Sequence, residues 1–184
     1  KSGESLAIMG KTGCGKTTIA LLLCRLIDPT EGEILVDGKN LKEHNLYLYR
    51  QHIGYVPQES YLFSDTIENN IGFAIDTPNI DTIIKYAKIA DVDKNIIEFK
   101  DQYHTMVGER GVMLSGGQKQ RICIARALIK QPTILIFDDS LSALDSQTES
   151  NIINNINEEI KNKTIILITH RESSTERMDR ILKL

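Results

Sequence analysis

The sequence contains Gly10-Lys11-Thr12-Gly13-Cys14-Gly15-Lys16-Thr17-Thr18, which fits the phosphate-loop pattern G-x-x-x-x-G-K-[ST]. Residues 6–9 just before it are all apolar and predict a buried strand. After it, apolar residues recur at three- and four-residue steps, which predicts an amphipathic helix with one face toward a core: Ile19, Leu22, Leu23 and Leu26. A strand, a glycine-rich loop and a helix in this order are the context that the pattern requires.

The residue types of this loop suit the binding of nucleotide phosphates. Its glycines allow positive φ angles and a close approach of the backbone, and the start of the helix adds a partial positive charge. Lys16 is able to reach β- and γ-phosphates, and the Thr17 hydroxyl is an oxygen ligand of the kind that Mg²⁺ prefers. The plain alternative is a glycine-rich turn beside a surface lysine.

Composition limits the classes of protein that the chain represents. Its 184 residues predict one domain with a substantial core, or a tightly joined pair. The net charge is −3 and the basic residues form no stripe, so nucleic acid is not expected as a partner. Apolar runs are much shorter than the ~20 residues of a membrane-spanning helix. The widely spaced cysteines favour free thiols in a reducing cytoplasm over disulfides or a metal site: Cys14, Cys24 and Cys123.

Strand and helix patterns alternate along the rest of the chain. From residue 65 to residue 99 apolar residues recur at helical steps, which predicts a helical insert. Short apolar runs predict further strands at residues 33–36, 53–58, 133–137, 164–168 and 180–184. Such alternation predicts an α/β fold with a mostly parallel sheet covered by helices on both faces.

Polar residues follow several of these strands directly. Gln58 comes after the strand that Pro57 ends, Asp138 and Asp139 follow the apolar run at 133–137, and His170 follows the run at 164–168. Ligands of parallel sheets bind at the carboxyl ends of the strands. We therefore expect these side chains to converge with the phosphate loop on one site.

A second glycine-rich helix start is Leu114-Ser115-Gly116-Gly117-Gln118. It has no lysine at the position that a phosphate loop requires. By itself it fits either a second anion-binding helix N-terminus or a helix capped by Ser115. The apolar face that follows predicts the helix in both cases: Ile122, Ala125, Leu128 and Ile129.

Together, these motifs resemble the nucleotide-binding domain of ATP-binding cassette (ABC) proteins, from about Ser5 to the last residue. Residues 10–17 match Walker A, Gln58 the Q-loop, residues 114–118 the LSGGQ signature, residues 134–138 Walker B, residues 142–145 the D-loop and His170 the H-loop. The resemblance implies a P-loop NTPase core, a helical insert at about residues 60–130 that carries the signature, and a small β subdomain. It also implies that residues 1–184 form one such domain, truncated at both ends.

The resemblance implies ATP and Mg²⁺ as cofactors, with residues 10–18 around the phosphates. It assigns Mg²⁺ to Thr17, Gln58 and Asp138, and catalysis to Lys16, Gln58, Asp139 and His170. Two such domains pack head to tail, so that the signature of one completes the ATP site of the other. Physically, a hydroxyl and backbone N–H groups are able to complete a γ-phosphate cage. The signature residues given this role are Ser115, Gly116, Gly117 and Gln118.

Two segments resemble exporters in particular, namely residues 61–71 and 105–111, which face the membrane domains in that class. The resemblance thus implies an ATPase that powers export, with transmembrane domains as partners, at the cytoplasmic face of the cell membrane. Within the second segment, Glu109 and Arg110 lie a few residues before the signature helix and are expected to pass its movements to a partner surface. An ordinary solvated Glu-Arg pair is the alternative. By the same resemblance, the membrane domains select the transported compound.

The sequence departs from the family pattern in two places. An aromatic residue that stacks on adenine usually precedes Walker A, and the sequence holds none there. At Asp139, competent cassettes carry Glu, which implies a degenerate, slow site and a heterodimer with unequal ATP sites. A homodimer with two slow sites, a regulatory ATP-binding module with negligible hydrolysis, and a soluble ABC ATPase without a transport role remain as alternatives.

Overall fold

The structure of the chain is a computed structural model that describes residues 2–108, 111–159 and 163–184. Within these ranges the chain forms strands and helices, with a run of helices between the fourth and fifth strands. The strands are β1 (Ser5–Met9), β2 (Leu35–Val36), β3 (Lys39–Asn40), β4 (Ile53–Val56), β5 (Ile134–Asp138), β6 (Thr164–Thr169) and β7 (Arg180–Lys183). The helices are α1 (Lys16–Leu23), α2 (Leu46–Gln51), α3 (Ile67–Gly72), α4 (Ile80–Ile89), α5 (Asp93–Ile97), α6 (Gly116–Ile129) and α7 (Ser146–Glu159).

A five-stranded sheet with the order β4-β5-β6-β1-β7 organises the described chain, and its neighbouring strands all pair in parallel. The register aligns Met9 with Thr169, and Asp138 with Ile168. Because parallel strands end at the same edge, the loops after β1, β5 and β6 start side by side. This confirms the predicted α/β fold with a mostly parallel sheet.

Helices cover both faces of the sheet, as its alternating side chains require. On β5, Leu135 and Phe137 point into a core that contains residues of α3, α4, α6 and α7. Ile136 between them points to the other face, where Ala20 of α1 and Tyr49 of α2 lie. The sheet is therefore buried on both sides, which explains why β5 is apolar without interruption.

The predicted helical insert consists of α3, α4 and α5, which lie between β4 and the signature segment. Both α3 and α4 pack against α6, and the predicted apolar face of α6 is buried in the same core. The predicted β excursion is a small hairpin of β2 and β3, closed by Asp37 and Gly38 with φ angles of 52° and 77°. Two positive φ angles are what a two-residue hairpin turn requires.

Two predictions need correction at the ends of elements. Leu26 does not belong to the first helix, since α1 ends at Leu23 and Leu26 is 53% exposed. Arg25 takes a φ of 49°, which turns the chain out of the helix before Leu26 is reached. The predicted strand at 33–36 is shorter, because only Leu35 and Val36 pair with β3.

Other predictions concern residues outside the described ranges, or features distributed along the chain. Glu109 and Arg110 lie outside the described residues. The cysteines are free thiols, with Cys14 exposed and the other two buried. Within residues 2–108, 111–159 and 163–184, every helix is too short or too polar to cross a membrane.

Candidate nucleotide site

A cleft of about 230 Å³ opens at the carboxyl edge of the sheet. It brings together the phosphate loop, the residue after Pro57 and the two carboxylates at the end of β5, as the sequence predicts. The residues that line it are Thr12, Gly13, Gly15, Lys16, Thr17, Thr18, Gln58, Asp138, Asp139 and Ile168.

The phosphate loop leaves β1 and ends at the first turn of α1. Gly13 and Gly15 have φ angles of 85° and 98°, which residues with a side chain rarely adopt. Gly15 is the N-cap of α1, and no side chain caps the helix there. The N–H groups of the first helical turn therefore remain available to an anion in the cleft.

Lys16 lies back across the loop that precedes it. Its Nζ donates hydrogen bonds to the carbonyl oxygens of Gly10 and Lys11, at 2.7 and 3.0 Å. It also lies 3.9 Å from Cys14 Sγ. These contacts hold a positive charge beside the cleft without neutralising it, since backbone carbonyls carry no net charge. Gly10, Lys11 and Cys14 thus support Lys16 rather than line the cleft.

The Asp138 carboxylate is held by two hydroxyl groups. Asp138 is 1% exposed. Thr17 Oγ1 donates to Asp138 Oδ1 and Tyr55 OH donates to Asp138 Oδ2, both at 3.1 Å. Burial, and then the charge of Asp138, raise the pKa of the Tyr55 phenol far above its usual value, so this group remains a donor.

Tyr55 is a residue of the site that the sequence motifs did not reveal. It lies on β4 opposite Ile136 of β5. Ile136 precedes Asp138, whose carboxylate Tyr55 contacts, by two residues. The signal that could have found it is the pairing of these two strands, because a tyrosine near the end of β4 then reaches the end of β5.

The donor atoms in the cleft fit a magnesium ion. A hydroxyl of Thr17, a carboxylate of Asp138 and the amide of Gln58 all belong to this cleft, and Mg²⁺ binds oxygen ligands and commonly retains phosphates and waters. Among the described residues no group of three or more His, Cys, Asp or Glu could hold a metal. Phosphate oxygens and waters would supply the remaining ligands of a magnesium ion held by these three residues.

Asp139 and His170 form the second polar pair of the site. Asp139 N donates to Ile168 O at 2.9 Å, and its φ of 49° turns the chain out of β5. His170 follows β6, and its Nδ1 lies 3.0 Å from Asp139 Oδ1. The histidine side chain is 58% exposed and the aspartate side chain 19%. The pair therefore stands at the mouth of the cleft, where a water molecule has access.

The signature residues do not line this cleft. Ser115 Oγ accepts from Gln118 N at 3.2 Å, and Gln118 Oε1 accepts from Ser115 N at 2.9 Å, which is a complete capping box for α6. A Cβ atom built on Gly117 would lie 3.5 Å from Leu144 Cδ2. Ser115 therefore caps α6, which is one of the two interpretations of this helix start. Within one chain, the signature residues do not belong to the cleft that the phosphate loop lines.

The comparisons with known proteins agree with these motifs. The family model described as "ABC transporter" matches residues 1–142. ABC transporter B family member 6 of Dictyostelium discoideum is 47% identical over the whole chain, which covers 27% of that protein. The iron-sulfur clusters transporter atm1 of Neurospora crassa is 40% identical over the whole chain, which covers 26% of it.

A solved structure gives the same result in three dimensions. It is a bacterial Atm1-family ABC exporter with ATP bound, with a TM-score of 0.95 and 44% identity over all of this chain and 32% of that one. The chain thus spans about a third or less of the length of these proteins. The match in sequence and structure covers the sheet, the phosphate loop and the signature helix together. The chain belongs to the ABC transporter family, and it is a nucleotide-binding domain of the exporter type.

Proposed function

We propose that the chain binds ATP with Mg²⁺ and hydrolyses it to power export by a membrane transporter. The observation that carries this proposal is a cleft lined by the phosphate loop, the Thr17–Asp138 pair and Asp139, whose carboxylate His170 contacts. Support also comes from the ATP-bound exporter to which the chain is similar. The domain would comprise residues 1–184, with a helical subdomain at about 60–130, and would work at the cytoplasmic face of the cell membrane.

Each part of the cleft has a chemical task in this proposal. The open N–H groups of α1 and the Lys16 ammonium bind the β- and γ-phosphates. Thr17, Asp138 and Gln58 would hold Mg²⁺, whose charge offsets that of the phosphates. The Asp139 carboxylate would orient and polarise the attacking water, and His170 would hold that carboxylate in place.

The cleft needs a second domain to complete it. The signature lies outside the cleft of its own chain, and the Ser115 hydroxyl keeps a hydrogen to donate while its oxygen accepts from Gln118 N. In a head-to-tail pair, this hydroxyl and the N–H groups of Gly116 and Gly117 would reach the γ-phosphate in the other chain's cleft. Transmembrane domains would be the further partners.

We further propose that this chain is the slow half of a heterodimer. Asp has one methylene fewer than Glu, which withdraws the carboxylate by ~1.5 Å, about one carbon–carbon bond. A misplacement of ~1 Å can cost on the order of a hundredfold in rate. Asp139 is in addition tied to His170, so its reach toward a water is limited. The partner's own carboxylate would then carry most of the turnover.

The test is ATP hydrolysis by the full-length protein with its partner domain. Asp139→Glu should raise turnover at this cleft, and changing the partner's catalytic Glu to Gln should remove most of the total. If hydrolysis survives the partner's change but collapses with Asp139→Asn, the proposed division of labour is wrong. A homodimer with two slow sites would instead gain activity from Asp139→Glu alone, with no partner of a different sequence.

A second candidate function follows from the same aspartate, namely a regulatory module that binds ATP to promote association without hydrolysis. It predicts ATP-dependent pairing of the domains with negligible turnover at this cleft while residue 139 is Asp, and hydrolysis that appears only in Asp139→Glu. Turnover at this cleft in the wild type that is lost in Asp139→Asn would exclude it.

A further inference from the structure

Arg171 lies directly after His170. His170 contacts the Asp139 side chain, whereas Arg171 binds the loop that follows Asp139. Its Nη1 donates to Leu144 O at 2.9 Å, and its Nη2 donates to Ser142 O. Nη1 also lies 3.4 Å from Glu149 Oε2 on α7. One guanidinium group therefore joins the end of β6, the loop after β5 and helix α7. A rigid planar donor is suited to such simultaneous contacts.

The loop that Arg171 binds, residues 139–145, is closed on itself. Ser142 Oγ donates to Asp139 O at 2.6 Å, and Leu144 N donates to Leu141 O at 3.0 Å. Leu141 and Leu144 are 3% and 5% exposed. These hydrogen bonds connect the parts of the loop, so a displacement of Ser142 would also displace the carbonyl group of Asp139.

Two adjacent residues of one strand end hold this loop at two places. Arg171 N donates to Thr169 Oγ1 at 3.0 Å, which bends the chain just after β6. His170 then contacts the Asp139 carboxylate, while Arg171 contacts the carbonyls of the loop. The direction of the Asp139 side chain is consequently defined both from its tip and from its backbone.

Glu149 fixes Arg171 in turn. Glu149 is 6% exposed, and its Oε1 has no hydrogen-bond partner among the described residues. A buried carboxylate requires a nearby positive charge, because burying an unpaired charge lowers the stability of the folded chain. The only ion pair found for it within the described ranges is the one with Arg171. Arg171 is therefore held toward the loop rather than free to turn into solvent.

We propose that Arg171, held by Glu149, is a positioning residue for ATP hydrolysis: it sets the geometry of the 139–145 loop and through it that of Asp139. The inference rests on the function proposed above and adds a residue to it. The loop also lies against the start of the signature helix, where a Cβ on Gly117 would be 3.9 Å from Ala143 O.

The experiment measures steady-state MgATP hydrolysis by the full-length protein in two backgrounds, Asp139→Glu and Asp139→Asn, each with the partner's catalytic Glu changed to Gln so that only this cleft contributes. Arg171→Met retains the apolar stem and removes the guanidinium. In Asp139→Glu it should lower kcat on the order of tenfold or more, as expected for a misplaced reacting group, with KM within about twofold. In Asp139→Asn, where no carboxylate remains to be positioned, it should change the rate by less than about twofold.

Arg177→Met is the matched control. Arg177 also binds α7, through Ser150 O and Asn154 Oδ1, but it is exposed and does not contact the loop. It should change kcat by less than about twofold in both backgrounds. Equal losses for Arg171→Met in both backgrounds, or a loss matched by Arg177→Met, would overturn the inference and indicate a merely structural role.

Two further variants sharpen the result. Arg171→Lys keeps the charge near Glu149 but cannot donate to two carbonyls in a fork, so its kcat should lie between wild type and Arg171→Met. Glu149→Gln should lower kcat in the same direction as Arg171→Met, again with KM unchanged. A rise in KM without a fall in kcat for these variants would contradict positioning.

Hydrogen exchange separates this mechanism from general destabilisation. In Arg171→Met the amides of residues 142–144 should exchange faster, while those of β1 and α6 stay as in the wild type. Faster exchange throughout would overturn the inference. If Asp139→Glu and Asp139→Asn have equal turnover, the proposed function fails and the inference with it. If turnover depends on residue 139 but not on Arg171, the inference alone fails.

Discussion

At the scale of single residues, the site depends on polar atoms that are held before any ligand arrives. Asp138 accepts hydrogen bonds from both Thr17 and Tyr55. A metal that binds Asp138 and Thr17 would replace the bond between them but leave the bond from Tyr55. Tyr55 therefore acts as a partner outside the ligand set, of the kind that orients a metal-binding carboxylate.

Tyr55→Phe should accordingly raise the Mg²⁺ concentration that ATP hydrolysis requires, with a smaller effect on the affinity for ATP. Loss of such an outer partner typically lowers metal affinity or activity by about tenfold to a hundredfold. The measurement is the Mg²⁺ concentration that gives half-maximal ATP hydrolysis. Tyr47→Phe, in which the tyrosine is 72% exposed, serves as the control. An unchanged Mg²⁺ requirement in Tyr55→Phe would show that the Thr17–Asp138 geometry does not need the phenol.

Lys16→Ala should strongly reduce ATP affinity. The variant removes a charge that the loop holds beside the cleft, and a hydrogen bond to a charged group contributes about 1.5–3 kcal/mol. That corresponds to a loss of roughly tenfold to a hundredfold in affinity. Titration with a fluorescent ATP analogue measures the effect, with exposed Lys42→Ala as the control. Equal affinities of Lys16→Ala and wild type would remove Lys16 from the site.

At the scale of elements, helix α6 combines two roles at its first turn. The capping box between Ser115 and Gln118 satisfies N–H groups at the helix start. The cap uses the oxygen of the Ser115 hydroxyl as acceptor, which leaves the hydrogen for a phosphate from outside. The same atom thus stabilises the free domain and is proposed to bind ATP held by a partner.

Ser115→Ala should therefore have two effects that are measured separately. Loss of the cap should lower the free energy of unfolding by about 1 kcal/mol, and loss of the hydroxyl should weaken ATP-dependent association of two domains. Urea denaturation and analytical ultracentrifugation with MgATP measure the two. Thr66→Ala is the matched control, since Thr66 caps α3 in the same way, with Oγ1 accepting from Asn69 N. It should lose stability only, and a comparable loss of association in Thr66→Ala would contradict the role of Ser115.

The elements themselves were largely predictable from local patterns. The apolar residues 134–137 predicted β5 because a strand buried on both faces has no polar positions. The helical steps of Ile122, Ala125 and Leu128 predicted α6 because that face lies in the core. Leu26 was predicted wrongly, since its apolar spacing continues the pattern of α1 while Arg25 breaks the backbone with a φ of 49°.

In the site, only the residues that belong to recognised sequence motifs could be predicted. Residues that follow strand ends were expected to converge, and the cleft contains Gln58, Asp138 and Asp139 as expected. The contacts of Tyr55 and Arg171 were not predictable, because they cross between strands and loops whose register the sequence does not state. Both residues reach their partners across strand pairs, β4 with β5 and β5 with β6.

At the scale of the whole molecule, burial controls the protonation of groups far from the cleft mouth. Burial raises the pKa of the Cys24 thiol to about 11, and burial, together with Cys24, raises the pKa of the neighbouring Tyr49 phenol to about 12. Both groups lie in the core between α1, α2 and the sheet. In the unfolded chain both would ionise at lower pH.

The chain should therefore lose stability in alkali. Between about pH 9 and 11 the folded chain retains protons that the unfolded chain releases, so the free energy of unfolding falls as pH rises. The part due to Cys24 is fully present below about pH 9 and should amount to on the order of 2 kcal/mol. Urea denaturation from pH 8 to 11 should show a shallower decline for Cys24→Ala. Cys14→Ala, which removes an exposed thiol, should keep the wild-type slope, and an unchanged slope in Cys24→Ala would refute the assignment.

The position of β1 in the sheet has a consequence for biosynthesis. β1 pairs only with β6 and β7 in the described sheet, so Ser5 requires Ile165 and Met9 requires Lys183. On the ribosome, the strand that carries the phosphate loop therefore emerges well before β6 and β7, the strands with which it pairs in the described sheet. Pairings so distant along the chain are slow to form. Nucleotide affinity should thus be acquired only after β6 and β7 have paired with β1, which makes it a direct measure of whether this sheet has formed.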